Sequence, residues 1–91
     1  MPNIDLKGIE TKIKEVLAKE LGVKIENITP DKKLIEDLGM DSLASIELIF
    51  ELEDKTGLVI SEKDVPNLKT VGNIIEYLTN RLLENKNAKN N

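Results

Sequence analysis

The sequence predicts an all-α fold: a small four-helix bundle, with three longer helices, a short third helix and a long first loop. Three observations predict it. Apolar residues recur every three or four positions in separate stretches, the spacing that gives a helix one buried face. Nowhere is there the two-residue alternation of a half-buried strand. The apolar 40% of the chain is almost wholly aliphatic, Phe50 and Tyr77 being its two aromatics, so the core is built from Leu, Ile and Val. At 91 residues the chain suffices for one small domain, which is stable only if its helices pack tightly.

The first helix is expected from about Asp5 to Leu21, with Ile9, Ile13, Val16, Leu17 and Leu21 on one face and Gly22 as its stop. The loop "VKIENITPDKKLIEDLGM" follows. Pro30 breaks any helix there and disfavours the α conformation at Thr29. A solvated linker has no use for Ile25, Ile28, Leu34, Ile35 and Leu38, so this loop is expected to pack onto the core, with a short helical turn around Leu34 to Asp37. The second helix runs from Ser42 to about Lys55, and Thr56-Gly57 ends it. Ser61, with Asp64 three residues on, opens the short third helix, which Pro66 limits to a turn or two. Thr70 caps the last helix, whose buried stripe is Val71, Ile74, Ile75, Leu78 and Leu82. Residues 1–84 form the domain. The remainder, 85–91, lies in the tail "ENKNAKNN", has nothing to bury and is expected to be disordered.

Composition narrows the chemistry. Without cysteine there is no disulfide framework and no thiol of the protein's own. Without histidine the usual zinc sites and triads are excluded, and no metal is expected. Asp37 and Asp41 lie close in sequence but lack the ligand spacing of a calcium loop. No apolar run approaches the ~20 residues of a membrane span, and "MPNIDLKGIE" lacks the apolar stretch of a signal peptide, so a soluble cytoplasmic protein is expected. Charge is uneven. Between Lys33 and Lys55 there are seven acids, Glu36, Asp37, Asp41, Glu47, Glu51, Glu53 and Asp54, and no base. A one-signed block of this kind is either a solvated face or a docking surface for basic partners. Nucleic acid is not an expected partner, because a phosphate backbone calls for a basic stripe.

At 100° per residue the second helix divides into three faces. Leu48, Ile49 and Leu52, with Ser45 among them, form a core stripe. Ala44, Glu47, Glu51 and Asp54 form an acidic, small-residue face. Leu43, Ile46 and Phe50 make a second apolar stripe beside the acids. It either packs on the short third helix or the loop, or stays exposed as part of a docking surface.

Ser42 opens this helix, after Gly39-Met40-Asp41. Either Asp41 or Ser42 can cap it. A nucleophilic role fits poorly: no His or Lys base is placed near Ser42, and Met40 and Ala44 stand where a nucleophile elbow needs glycines. A hydroxyl at a helix N-terminus is, however, a good anchor for a phosphate ester, since the free N–H groups and the positive dipole end stabilise the anion.

The segment "DLGMDSLASIELIFELEDKTG", residues 37–57, resembles the heart of an acyl carrier protein. Asp41, Ser42 and Leu43 match that family's Asp-Ser-Leu triplet after a glycine turn, and Glu47-Leu48 match the Glu-Leu of the same helix. With the long first helix, the apolar-studded loop, the short third helix and the last helix opening at Thr70-Val71, the resemblance covers residues 4 to about 83. It implies that a phosphopantetheinyl transferase joins 4′-phosphopantetheine from coenzyme A to Ser42 as a phosphodiester, within the Asp41-Ser42-Leu43 site. The product is a phosphoprotein whose arm carries acyl groups as thioesters, so the thiol absent from the sequence is imported. The resemblance implies a monomeric, non-catalytic carrier for fatty acid biosynthesis. Its partners, besides the transferase, are acyl-transfer and fatty-acid-synthase-type enzymes with basic docking patches. They are expected to meet Leu43, Ile46, Glu47, Phe50, Glu51 and Asp54. Many carriers of primary fatty acid synthesis have an acid after the triplet, where this chain has Ala44, and an aromatic near the helix end, where it has Thr56-Gly57. These departures keep open a carrier for a polyketide, a modified lipid or an aminoacyl group. A reading of another class is an acidic helical interaction module that is never modified.

Overall fold

The computed structural model describes residues 6 and 8–89, the side chains of 86–89 excepted. The fold is all-helical among these residues, as expected. Helix α1 spans Gly8–Leu21, α2 spans Ser42–Thr56 and α3 spans Val71–Lys89. Between α2 and α3 lies a six-residue 3-10 helix, Glu62–Asn67. It is the expected short third helix, kept in the tighter form with Pro66 inside it.

Two boundaries differ from the sequence reading. Helix α1 begins at Gly8, just ahead of the buried Ile9, while Leu6 is an exposed turn residue; Asp5 lies outside the described residues. Helix α3 overruns its expected end. Disorder was expected over 85–91, yet the helix continues to Lys89, and only 90 and 91 lie outside the described residues. After Gly72 there is no Gly or Pro to stop it, and Glu, Lys and Ala are good helix formers even with nothing to bury.

Helix α1 packs against both α2 and α3. Ile9, Ile13 and Leu17 meet the core with Leu48 and Leu52 of α2 and Ile74 and Leu78 of α3, all close to fully buried. The half-buried Leu21, Ile49 and Ile75 pack at its margin. The loop does pack down, through Ile28, Leu34 and Leu38; Ile25 and Ile35 stay exposed. Backbone bonds tie it to the start of α3: the N–H of Leu34 donates to the carbonyl of Lys69, that of Val71 to Lys32 and that of Gly72 to Pro30, at 2.9, 3.0 and 2.9 Å. A side chain at Gly72 would stand 3.0 Å from the Pro30 carbonyl, so the closeness of loop and helix depends on glycine there. Thr29 donates its hydroxyl to Asp31 at 2.6 Å, which holds that carboxyl below its usual range and stiffens the turn.

Candidate functional site

Ser42 is placed by three residues before it. The helical turn at 34–38 closes as Gly39 adopts φ 73°, a left-handed conformation that glycine takes without strain. Met40 then drops into the core, its N–H held by the Leu34 carbonyl at 2.9 Å. Asp41 is extended (φ −114°, ψ −175°), and its carboxylate accepts from the Ala44 N–H at 2.8 Å. Asp41, not Ser42, is therefore the cap. Ser42 is the first helical residue and exposed, and its hydroxyl has no hydrogen-bond partner among the described residues.

The rest of α2 presents the predicted faces, except that two residues expected on the acidic face, Ala44 and Glu51, are half-buried, Ala44 against the core. Leu48 and Leu52 are buried, and Ser45 and Ile49 half-buried. The second apolar stripe takes the exposed alternative: Leu43, Ile46 and Phe50 are 66%, 55% and 65% accessible. Glu47 and Asp54 are exposed beside them. Glu51 is half-buried in a groove that it shares with Lys12, Glu15 and Lys19 of α1 and with Lys55 of its own helix. Other acids of the block have local work. Asp37 accepts from the Lys33 N–H, and Glu53 from the Ile60 N–H, both at 2.8 Å. None of the seven acids forms an ion pair among the described residues.

Two clefts share Ser45 and Val65 in their walls. Ser45 lies one turn beyond Ser42, about 4.5 Å along the axis. The larger cleft, about 680 Å³, runs between Leu34, Ile35 and Met40 on the loop side and Pro66 and Leu68 on the other. The smaller, about 400 Å³, lies between Ile46, Ile49 and Phe50 of α2 and Ile60 and Val65. Apolar surface dominates both, although Lys33, Glu36, Lys69, Thr70 and Asn73 also line the larger, and Ser42 itself lines neither.

A family model for the phosphopantetheine attachment site matches residues 11–78, most of the chain. The chain belongs to that family. The fold matches the solved acyl carrier protein from Enterococcus faecalis with a TM-score of 0.73 and 24% identity, over 86% of this chain and 99% of that one. The chain is accordingly a carrier protein with the acyl carrier fold. It is not an enzyme, and its cofactor is covalent 4′-phosphopantetheine. The residues at the start of α2 fit that group. The hydroxyl of Ser42 is exposed and unengaged, and helical N–H groups adjoin it. Asp41 has already satisfied the Ala44 donor. No helix among the described residues is long and apolar enough to cross a membrane.

Sequence reasoning missed a group on the far side of the 3-10 helix. The Tyr77 hydroxyl donates to Asp64 at 2.7 Å and accepts from the Ser61 N–H at 3.1 Å and from Arg81 at 3.0 Å. Arg81 also reaches the Val59 carbonyl and Glu84, both at 3.2 Å, and sits 5.3 Å from the Tyr77 ring centre. The Tyr77 hydroxyl, and Glu84 more weakly, hold the Arg81 guanidinium above its ordinary range. A signal existed: Tyr77 is one of only two aromatics and lies off the buried stripe of its helix.

Proposed function

We propose that this carrier holds acyl intermediates of fatty acid biosynthesis as thioesters on an arm attached at Ser42. The observation that carries the reading is the division of labour at the start of α2. Asp41 caps the helix through Ala44, leaving the exposed Ser42 hydroxyl free to attack the pantetheine-bound phosphorus of coenzyme A, take the 4′-phosphopantetheinyl group and release adenosine 3′,5′-bisphosphate. Neighbouring N–H groups and the helix dipole then stabilise the phosphodiester. The arm supplies the thiol that bears the cargo. The two clefts are the shelter this chain offers an alkyl chain, with Ser45 and Val65 in the walls of both. Leu43, Ile46 and Phe50, rimmed by Glu47 and Asp54 with Glu51 behind, form the face that meets the transferase and the acyl-handling enzymes. Burial at the stripe would give affinity, and the acids would steer basic partners. A cytoplasmic monomer suits a carrier that must visit several enzymes in turn.

Ser42→Ala tests the site. It should abolish incorporation of labelled pantetheine from coenzyme A by an active transferase, with helicity retained. Labelling undiminished in the Ala variant would move the site to another hydroxyl such as Ser45. Ala44, in place of an acid, favours the second reading, a carrier for a polyketide, a modified lipid or an aminoacyl group. The masses of the thioesters released from the native protein separate the two: a ladder of saturated and hydroxylated alkyl chains supports fatty acid synthesis, and any other cargo overturns it.

A further inference from the structure

We propose that Tyr77 is a latch: bound to Asp64, it holds the 3-10 helix Glu62–Asn67 in place as the movable wall of the two clefts and so sets how well an alkyl thioester is shielded from attack. The shielding rests on the reading that cargo enters those clefts.

The wall is weakly built. None of the six residues of the 3-10 helix is buried. Val65 lines both clefts, Pro66 the larger and Glu62 the smaller. Segments with little buried surface and few bonds open at low free energy. Among the described residues, the bond from Tyr77 to Asp64 is the one side-chain hydrogen bond that this segment makes. It is a bond to a carboxylate, the stronger class.

The receiving end is rigid. Tyr77 and Arg81 project from α3, which Ile74 and Leu78 anchor in the core. The Tyr77 oxygen, with one donor and two acceptor positions, has all three filled, by Asp64, Ser61 and Arg81. Arg81 extends the grip to Val59. The connection out of α2 and the 3-10 helix are thus fastened at Val59, Ser61 and Asp64 to two side chains of one helix. Neither Tyr77, Arg81 nor Asp64 lines either cleft. They can change how readily the wall moves without touching what lies inside.

Two measurements test this on Tyr77→Phe, which keeps the ring under Arg81, and on Asp64→Ala, which removes the acceptor, each checked for native helicity. The first is amide hydrogen exchange in the protein without its arm. Exchange at Ser61 and across 62–68 should quicken about tenfold, as loss of about 1.4 kcal/mol from the closed state gives, while core amides of α1 stay unchanged. The second is cleavage by hydroxylamine of an octanoyl and an acetyl thioester on the loaded protein. Octanoyl cleavage should rise about tenfold in the variants, with acetyl cleavage unchanged. Unaltered exchange over 61–68 overturns the latch. Faster exchange with octanoyl protection intact overturns its control of shielding, as does an equal rise for both thioesters, which marks general loosening. If the unmutated protein protects octanoyl no better than acetyl, the sheltering reading itself fails and the shielding role falls with it. The exchange data alone then decide whether Tyr77 holds the wall.

Discussion

Asp41 and Ser42 share a task that either residue type can perform. Both rank among the best helix caps, so the pair in sequence does not say which one lies outside the helix. The extended backbone of Asp41 and its bond to Ala44 decide it. Asp41→Ala should therefore destabilise the fold by about 1 kcal/mol, read as a shift in the urea midpoint at constant slope. Asp41→Asn, an equivalent cap, should restore most of that loss. Equal losses in both would show that the carboxylate charge, not the cap geometry, matters to stability. The same scale explains what was hidden. Glu53 reads as one more acid of the charged block, yet its partner is an amide seven residues on, beyond a turn set by Gly57. Tyr77 finds Asp64 thirteen residues back. Helical spacing says nothing about such pairs, because they depend on how the connection between α2 and α3 folds back.

Helix α2 was legible as three faces because a 3.6-residue period sorts its residues unambiguously. Period alone could not say whether Leu43, Ile46 and Phe50 were covered. That depended on the 3-10 helix, which stands across the smaller cleft from the stripe and leaves it accessible. Nor could it distinguish Glu51, half-buried in a groove against α1, from Glu47 and Asp54, which face solvent. The charge-reversal test should therefore use Glu47→Lys with Asp54→Lys. Exposed pairs contribute roughly 0.2–1 kcal/mol each. The double variant should lower the transferase rate at low salt by roughly three- to tenfold, and the unmodified rate should itself fall as salt rises. Ile46→Ala should also slow the reaction, with much weaker salt dependence, because burial is not screened. An unchanged rate and salt profile in the folded double variant would leave the acids as a solvated face and docking to the apolar stripe.

At the scale of the whole molecule, the bundle was legible because its three long helices each carry an apolar stripe and the loop residues Ile28, Leu34 and Leu38 mark a packed connection. The end of the chain was not. Among the described side chains Leu82 is the last one buried, and a reading based on burial stops the fold with it; helix propensity carries α3 on to Lys89. The two criteria predict different consequences of shortening. If the added turn is held by local propensity alone, removal of 85–91 should change stability by no more than about 0.5 kcal/mol, or about 2–4 °C in Tm for a domain of this size. It should also leave modification by the transferase unaltered, since Ser42 and the exposed face of α2 are untouched. Ending the chain at Asn80 instead removes Leu82 from the core and Arg81 from Tyr77 and Val59. Deleting a buried leucine side chain alone costs about 2–5 kcal/mol, so this shorter chain should melt far lower and lose the ordered connection around Ser61. Paired thermal scans of the two truncations place the edge of the folded unit. A large loss in the longer one would show that the overrunning turn packs on the bundle, and the domain would then extend past residue 84.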